Sequence, residues 1–350
     1  ALILDAAGLD RNRVPESLGE KMRSSVILLG SLLGRFGEAC LPYPGGCTIG
    51  KRPIDLHLKM LSEMGVTFTE EERGLKASCR RLSGAEFSLP FPSVGATENV
   101  ILAAVLAEGV TVLSGAAREP EISELCRFLR GKGARIEGDG TETIRIEGVS
   151  SLEDSEFIFS SDRIVAGTYL FGGVLTRGRV FLEGAEAGTL TEVLKVIEKT
   201  VAVVHMSPRG IFLDAREAFL PAGRVETSPY PGFPTDAQPV LMAALLKSAG
   251  STVFVENIFE NRYRHVDELA RMGAEVRVAG RVAVVTGRER LHGARVKCTD
   301  LRAGAALVIA GLQADGLTRI SRIEHIDRGY ESIERDLGAL GAHVRRETGT

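Results

Sequence analysis

The chain has 350 residues, more than one hydrophobic core usually organises, so two domains of ordinary size are expected. With 44% hydrophobic and 25% charged residues and a formal charge of −3, it can bury a core but has no general attraction for nucleic acid or an anionic membrane. Tryptophan is absent and aromatics make up 5%, which excludes a stacking platform for single-stranded nucleic acid. The five scattered cysteines form no CxxC pair, and so no disulfide framework or zinc site.

The opening run, Ala1-Leu-Ile-Leu-Asp5, reads as a strand belonging to a longer chain. From there an amphipathic stretch recurs that closes on glycine and turns at once into a short alternating strand. Gly65, Gly133, Gly273 and Gly341 mark it at spacings of about 70 residues or twice that. A degenerate copy, Val196 to Val204, fills the double gap. Gly37, Gly109, Gly178, Gly250 and Gly316 mark a second register, each closing a helix ahead of a strand such as Val110–Leu113 or Thr252–Val255. A glycine suits these ends because the chain needs a left-handed residue there before it turns back. Five α/β units, each with two helices and several strands, account for the 350 residues. Glu147 to Ser161 is the least regular connection, so the domains are expected to be 1–160 and 161–350.

Within that frame, Leu41-Pro-Tyr-Pro-Gly-Gly-Cys-Thr-Ile-Gly-Lys-Arg-Pro53 must be a loop, followed by a helix from about Ile54. Its glycines allow close approach of a ligand to Cys47, and Lys51 and Arg52 favour the thiolate. Cys47 is either a nucleophile or acid, or an inert small hydrophobe. The segment nearly spells a phosphate-binding P-loop, but Arg52 stands where Ser or Thr would hold magnesium.

Arginines recur beside helix starts: Arg23, Arg262, Arg302 and Arg328. They can grip phosphate or carboxylate, or pair with nearby acids on the surface. Ser93 opens a helix as a cap whose free amides could also meet a phosphate. Asp236 sits at another helix start in a proline-rich loop, as a macrodipole partner or a general base. The six histidines show no ligand spacing, so no metal is expected. No apolar run reaches membrane-spanning length and no signal peptide opens the sequence, so a cytoplasmic location is expected.

Taken together, Pro44-Gly-Gly-Cys-Thr-Ile-Gly-Lys-Arg-Pro53, Ser93-Val-Gly-Ala-Thr97, Ala117-Arg-Glu-Pro-Glu121, Pro231-Gly-Phe-Pro-Thr-Asp236, Phe259-Glu-Asn-Arg262, Thr299-Asp-Leu-Arg302 and His325-Ile-Asp-Arg-Gly-Tyr330 resemble the UDP-N-acetylglucosamine 1-carboxyvinyltransferases, a family of enolpyruvyl transferases. The likeness runs along essentially the whole sequence. It implies an α/β fold, a two-domain inside-out α/β barrel built from βαβαββ units, five of six being present, with the active site in the interdomain cleft and the Cys47 loop as its lid. The implied reaction moves the enolpyruvyl group of phosphoenolpyruvate to the 3'-hydroxyl of UDP-N-acetylglucosamine, without a cofactor.

By the same resemblance, Cys47 protonates carbon 3 or forms a covalent adduct, Asp236 is the base near the sugar hydroxyl, and Arg52, Arg302 and Arg328 neutralise the phosphate and carboxylate. Arg23, Arg52, Pro53, Ile54, Asp55, Leu56, Phe91, Ser93, Val94 and Ile258 fall where the family binds the UDP-sugar, and Arg262 joins the anion-binding set. Phe91 replaces a lysine of some members, which makes that contact apolar. The family's early Lys-Asn pair has no counterpart among these residues. Two other readings share the pattern. One is the sister enzyme acting on shikimate 3-phosphate, which needs no loop cysteine and carries a Gly-Asn-Ala-Gly-Thr run missing here. The other is a catalytically impaired paralogue that binds a UDP-sugar as a regulator.

Overall fold

The structure, a computed structural model, describes residues 2–19, 22–43, 49–50 and 53–347. The described residues fall into two units divided between Phe159 and Ser160, with Ile49 and Gly50 clustering with the second. Cys47 and Arg52 lie outside the described residues.

Each unit is organised around helices that are apolar on nearly every face and therefore buried. In the first unit Val94–Ala104 is such a helix, and the amphipathic Leu28–Phe36 packs against it, burying Leu29, Gly30 and Leu33. Gly30 permits this, since a Cβ there would come within 2.3 Å of the Asn99 carbonyl oxygen. In the second unit Arg163–Thr176, Gln238–Ala244 and Leu301–Gly311 pack together, with Phe171, Leu241 and Ile309 at the centre.

The outer helices are amphipathic instead. Pro120–Gly131 buries only Ile122, Cys126 and Leu129, one stripe at helical spacing. Thr191–Glu198 buries Val193, Leu194, Val196 and Ile197 in the same manner. Sheets complete the units. In the first, Glu86–Ser88 runs parallel to Val110–Ser114, which pairs antiparallel with Thr143–Glu147, itself paired with Arg135–Glu137. In the second, Arg224–Glu226, Ser251–Val255, Val282–Thr286 and Glu275–Ala279 repeat that order. Three-stranded antiparallel sheets occupy the matching place in the preceding copies, around Gly74–Ser78 and Gly210–Asp214.

The marker glycines do what their spacing predicts: Gly65, Gly133, Gly273 and Gly341 are all left-handed, at φ of 93°, 93°, 86° and 97°. Two positions differ. Helix Arg163–Thr176 ends on left-handed Arg177 rather than Gly178, whose amide instead reaches back to the Gly173 carbonyl at 2.9 Å. Arg177 holds that conformation with its guanidinium 4.9 Å from the Phe219 ring centroid. In the degenerate copy, Val201 occupies the glycine slot at φ 71°.

The expected opening strand is not found. Leu2 to Asp5 is coil, and Leu2, Ile3 and Leu4 are exposed. Hydrophobic pattern alone does not make a strand; a neighbouring backbone must take its hydrogen bonds. Among the described residues no helix is long and apolar enough to cross a membrane.

Candidate active site

In the first unit, three segment starts converge: the 3₁₀ turn Arg23–Ile27, helix Asp55–Glu63 and helix Val94–Ala104. Arg23 Nη2 donates to the Pro53 carbonyl at 3.3 Å, which ties the turn to the segment entering helix Asp55–Glu63. Ser93 caps helix Val94–Ala104, its hydroxyl accepting from the Ala96 amide. Phe91, two residues earlier, is 46% exposed.

Beneath these groups, buried Asn99 is a cross-brace. Its Oδ1 accepts from the Gly30 amide at 2.6 Å, and its Nδ2 donates to the Val26 carbonyl and to His57 Nδ1, each at 3.0 Å. Burial pushes His57 down to about 4; Arg23 adds to the shift and Asp55 opposes it. At neutral pH the ring is therefore uncharged, and Nδ1 accepts.

The second unit builds a carboxylate–guanidinium cluster. Asp236, its side chain 40% exposed, receives Arg262 Nη2 on Oδ1 at 3.1 Å and Arg302 Nε on Oδ2 at 3.2 Å. Arg262 is 1% exposed. It also donates through Nε and Nη2 to the Thr235 carbonyl at 3.1 and 3.0 Å, and Nη1 lies 3.7 Å from Asp300.

Asp300 caps helix Leu301–Gly311, its Oδ1 accepting from the Arg302 and Ala303 amides at 3.1 and 3.0 Å. That cap sets the Arg302 backbone. Burial works against the Arg302 charge, and Asp236 and Tyr330 more than restore it. Arg302 Nη1 donates to the Tyr330 hydroxyl at 3.4 Å. Because Thr168 gives its own proton to the Ile164 carbonyl, Tyr330 donates to Thr168 Oγ1 at 2.8 Å and is left to accept from Arg302.

Arg328 ends the 3₁₀ helix Ile323–Arg328, two residues before Tyr330. Gly329 brings this segment onto the start of the Leu301 helix, where a Cβ would meet Leu301 at 2.9 Å. Arg328 is exposed and, among the described residues, has no hydrogen bond or ion pair, so its donors are available to an anion. A partly exposed carboxylate held by two guanidiniums can take a proton from a ligand, and the unengaged guanidinium of Arg328 can offset charge on a small polyanion.

Comparison with known proteins decides the family. The profile of the EPSP synthase (3-phosphoshikimate 1-carboxyvinyltransferase) family matches residues 5–337. A UDP-N-acetylglucosamine 1-carboxyvinyltransferase of Nitratidesulfovibrio vulgaris (strain DP4) is 49% identical over 333 residues, covering 95% of this chain and 80% of the relative. The chain belongs to the enolpyruvyl transferases.

A second relative, UDP-N-acetylglucosamine 1-carboxyvinyltransferase 2 of Caldanaerobacter subterraneus, is 45% identical over 345 residues, covering 99% of this chain and 83% of the relative. Among solved structures, the enolpyruvyl transferase NikO from Streptomyces tendae superposes with a TM-score of 0.87 at 26% identity, over 99% of this chain and 82% of that one. EPSP synthase from Acinetobacter baumannii, at 20% identity and a TM-score of 0.72, shares the fold.

Within this enolpyruvyl transferase, the residues singled out from sequence, other than Cys47 and Arg52 outside the described residues, divide between the two units. Arg23, Pro53, Ile54, Asp55, Leu56, Phe91, Ser93 and Val94 belong to the first, and Asp236, Ile258, Arg262, Arg302 and Arg328 to the second. Arg262 differs from Arg302 and Arg328 in being fully enclosed, its donors spent on protein acceptors. The buried partners His57 and Asn99 escaped the sequence reading, and Asp300 and Tyr330 stood inside its motifs without being singled out. The signal available was weak: an isolated polar residue in an apolar stretch, as Asn99 stands in Glu-Asn-Val-Ile-Leu.

Proposed function

We propose that this protein transfers the enolpyruvyl group of phosphoenolpyruvate to the 3'-hydroxyl of UDP-N-acetylglucosamine, releasing phosphate, in the cytoplasmic synthesis of peptidoglycan precursors. The observation that carries this reading is the second-unit cluster, in which Asp236 is presented between Arg262 and Arg302. In the reaction the sugar oxygen bonds to carbon 2 of phosphoenolpyruvate while carbon 3 gains a proton, giving a tetrahedral ketal. Carbon 3 then returns a proton as the carbon–oxygen bond to phosphate breaks.

Asp236 takes the hydroxyl proton, and Arg302 and Arg328 offset the phosphate and carboxylate charge, the largest electrostatic task in this chemistry. Arg52, on the cysteine loop, joins them. Arg262 holds Asp236 in place from beneath. Arg23, the segment Arg52–Leu56, Phe91, Ser93, Val94 and Ile258 receive the UDP-sugar, and Cys47 is the acid or nucleophile toward carbon 3. In this reading the first domain extends to about residue 160 and carries the Cys47 loop, and the second carries Asp236, Arg302 and Arg328.

The description of the matching family profile favours shikimate 3-phosphate as a second reading. Relatives near half identity over most of the chain support the sugar nucleotide instead. An epoxide that mimics phosphoenolpyruvate, fosfomycin, tests the cysteine: intact mass should rise by one adduct, mapped to Cys47 and abolished by Cys47→Ala. An adduct that persists on Cys79 or Cys298 contradicts the assignment.

A further inference from the structure

The geometry points to Glu256 as a positioning residue for this chemistry, a buried carboxylate that fixes Asp236 through Thr235; the inference rests on the reading of Asp236 as the base. Glu256 follows strand Ser251–Val255 and is 1% exposed. Its Oε1 accepts from the Ile258 and Phe259 amides at 2.9 and 3.0 Å, and both its oxygens lie 3.1 Å from the Thr235 hydroxyl.

Thr235 is thereby held at both ends. Its hydroxyl donates to Glu256 while its carbonyl receives two donors of Arg262, the same arginine that pairs with Asp236 one residue on. One carboxylate thus joins the loop carrying Asp236 to the turn that leads through Ile258 into Arg262. Backbone bonds anchor Glu256 in turn, with its amide donating to the Arg281 carbonyl at 2.8 Å and Arg281 Nη1 to its carbonyl at 3.1 Å.

Among the described residues no cation pairs with Glu256, so three neutral donors satisfy a buried charge, an arrangement that only an acceptor-only side chain completes. A glutamine would set an N–H₂ group in place of one of the two oxygens that face the Thr235 hydroxyl, opposing donor to donor there and weakening the hold on Thr235. Asp236 would then shift relative to its arginines, and small displacements of a reacting group are felt in rate more than in binding.

The test is steady-state phosphate release from phosphoenolpyruvate and UDP-N-acetylglucosamine, with thermal unfolding recorded for each variant. Glu256→Gln and Thr235→Val should each lower kcat about tenfold or more while KM for phosphoenolpyruvate changes less than about threefold. Thr235→Ser, which keeps the hydroxyl, should retain wild-type kcat. Added to Asp236→Asn, Glu256→Gln should lower kcat no further, because the group it positions has gone.

Wild-type kcat in Glu256→Gln or Thr235→Val overturns the inference, as does a full multiplicative loss on top of an impaired Asp236→Asn; the base assignment then stands without it. Wild-type kcat in Asp236→Asn itself overturns both. Should Glu256→Gln fail to fold, Thr235→Val and its serine control carry the same comparison.

Discussion

Arg262 and Arg328 look alike in sequence and separate in structure. Arg262 is enclosed, with Asp236, Asp300 and the Thr235 carbonyl around it, and its removal strands a buried carboxylate. Arg262→Ala should therefore destabilise the second unit by about 3–5 kcal/mol in urea unfolding. Arg328 is exposed and unengaged among the described residues, so Arg328→Ala should change stability by less than about 0.5 kcal/mol. It should nonetheless abolish phosphate release.

His57 makes a pH prediction. Its ordinary value of 6.5 is lowered to about 4 in the fold, first by burial. As pH falls through 6.5 the unfolded chain takes up a proton that the folded chain refuses, so stability drops down to about pH 4, where the loss is complete. Fully buried His265 acts in the same direction, burial again being the main cause. Glu98 acts oppositely: burial first, then Glu121 and Glu119, raise it to about 7, which favours the fold toward acid. Comparing wild type with His57→Gln cancels the Glu98 and His265 contributions, and the variant should lose less stability between pH 6.5 and 4, by up to about 3 kcal/mol. Residue by residue, the charged groups near the surface were readable because their motifs are local. His57 and Asn99 were not, because what gives them meaning is a contact between positions 42 residues apart in sequence.

At the scale of elements, glycine spacing exposed the repeat because each outer helix closes with the same geometry. The amide after the glycine reaches back to the carbonyl five residues earlier, from Val66 to Leu61 and from Ala134 to Leu129, at 3.1 and 3.0 Å. Val201 supplies the test of that account, since it adopts the left-handed conformation with a β-branched side chain, a strained choice that glycine avoids. Val201→Gly should raise stability by about 1 kcal/mol. Gly133→Ala, whose Cβ would meet nothing within 4 Å, should lower it by a similar amount through conformation alone. The readout is the denaturation midpoint. The spacing misled at Gly178, where the left-handed turn sits one residue earlier on Arg177. Arginine can occupy that turn because an aromatic ring lies against its guanidinium, a tertiary contact with no local sequence mark.

For the whole molecule, the fold class was legible because it is written repeatedly, as apolar inner helices and striped outer ones alternating with short strands. Candidate chemistry was legible only where loops carry unusual residues, at the Pro231–Asp236 loop, the arginines at helix starts and the cysteine loop, whose Cys47 and Arg52 lie outside the described residues. The buried braces beneath them were not, since a polar residue in an apolar stretch has the same appearance whether it supports a site or merely satisfies the core. The central claim is the identity of the enolpyruvyl acceptor. Phosphate release from phosphoenolpyruvate, measured with UDP-N-acetylglucosamine and separately with shikimate 3-phosphate, tests it most directly. Release should require the sugar nucleotide and slow by about a hundredfold or more, yet measurably, in Asp236→Asn; release with shikimate 3-phosphate alone, or from phosphoenolpyruvate with no acceptor at all, would contradict it.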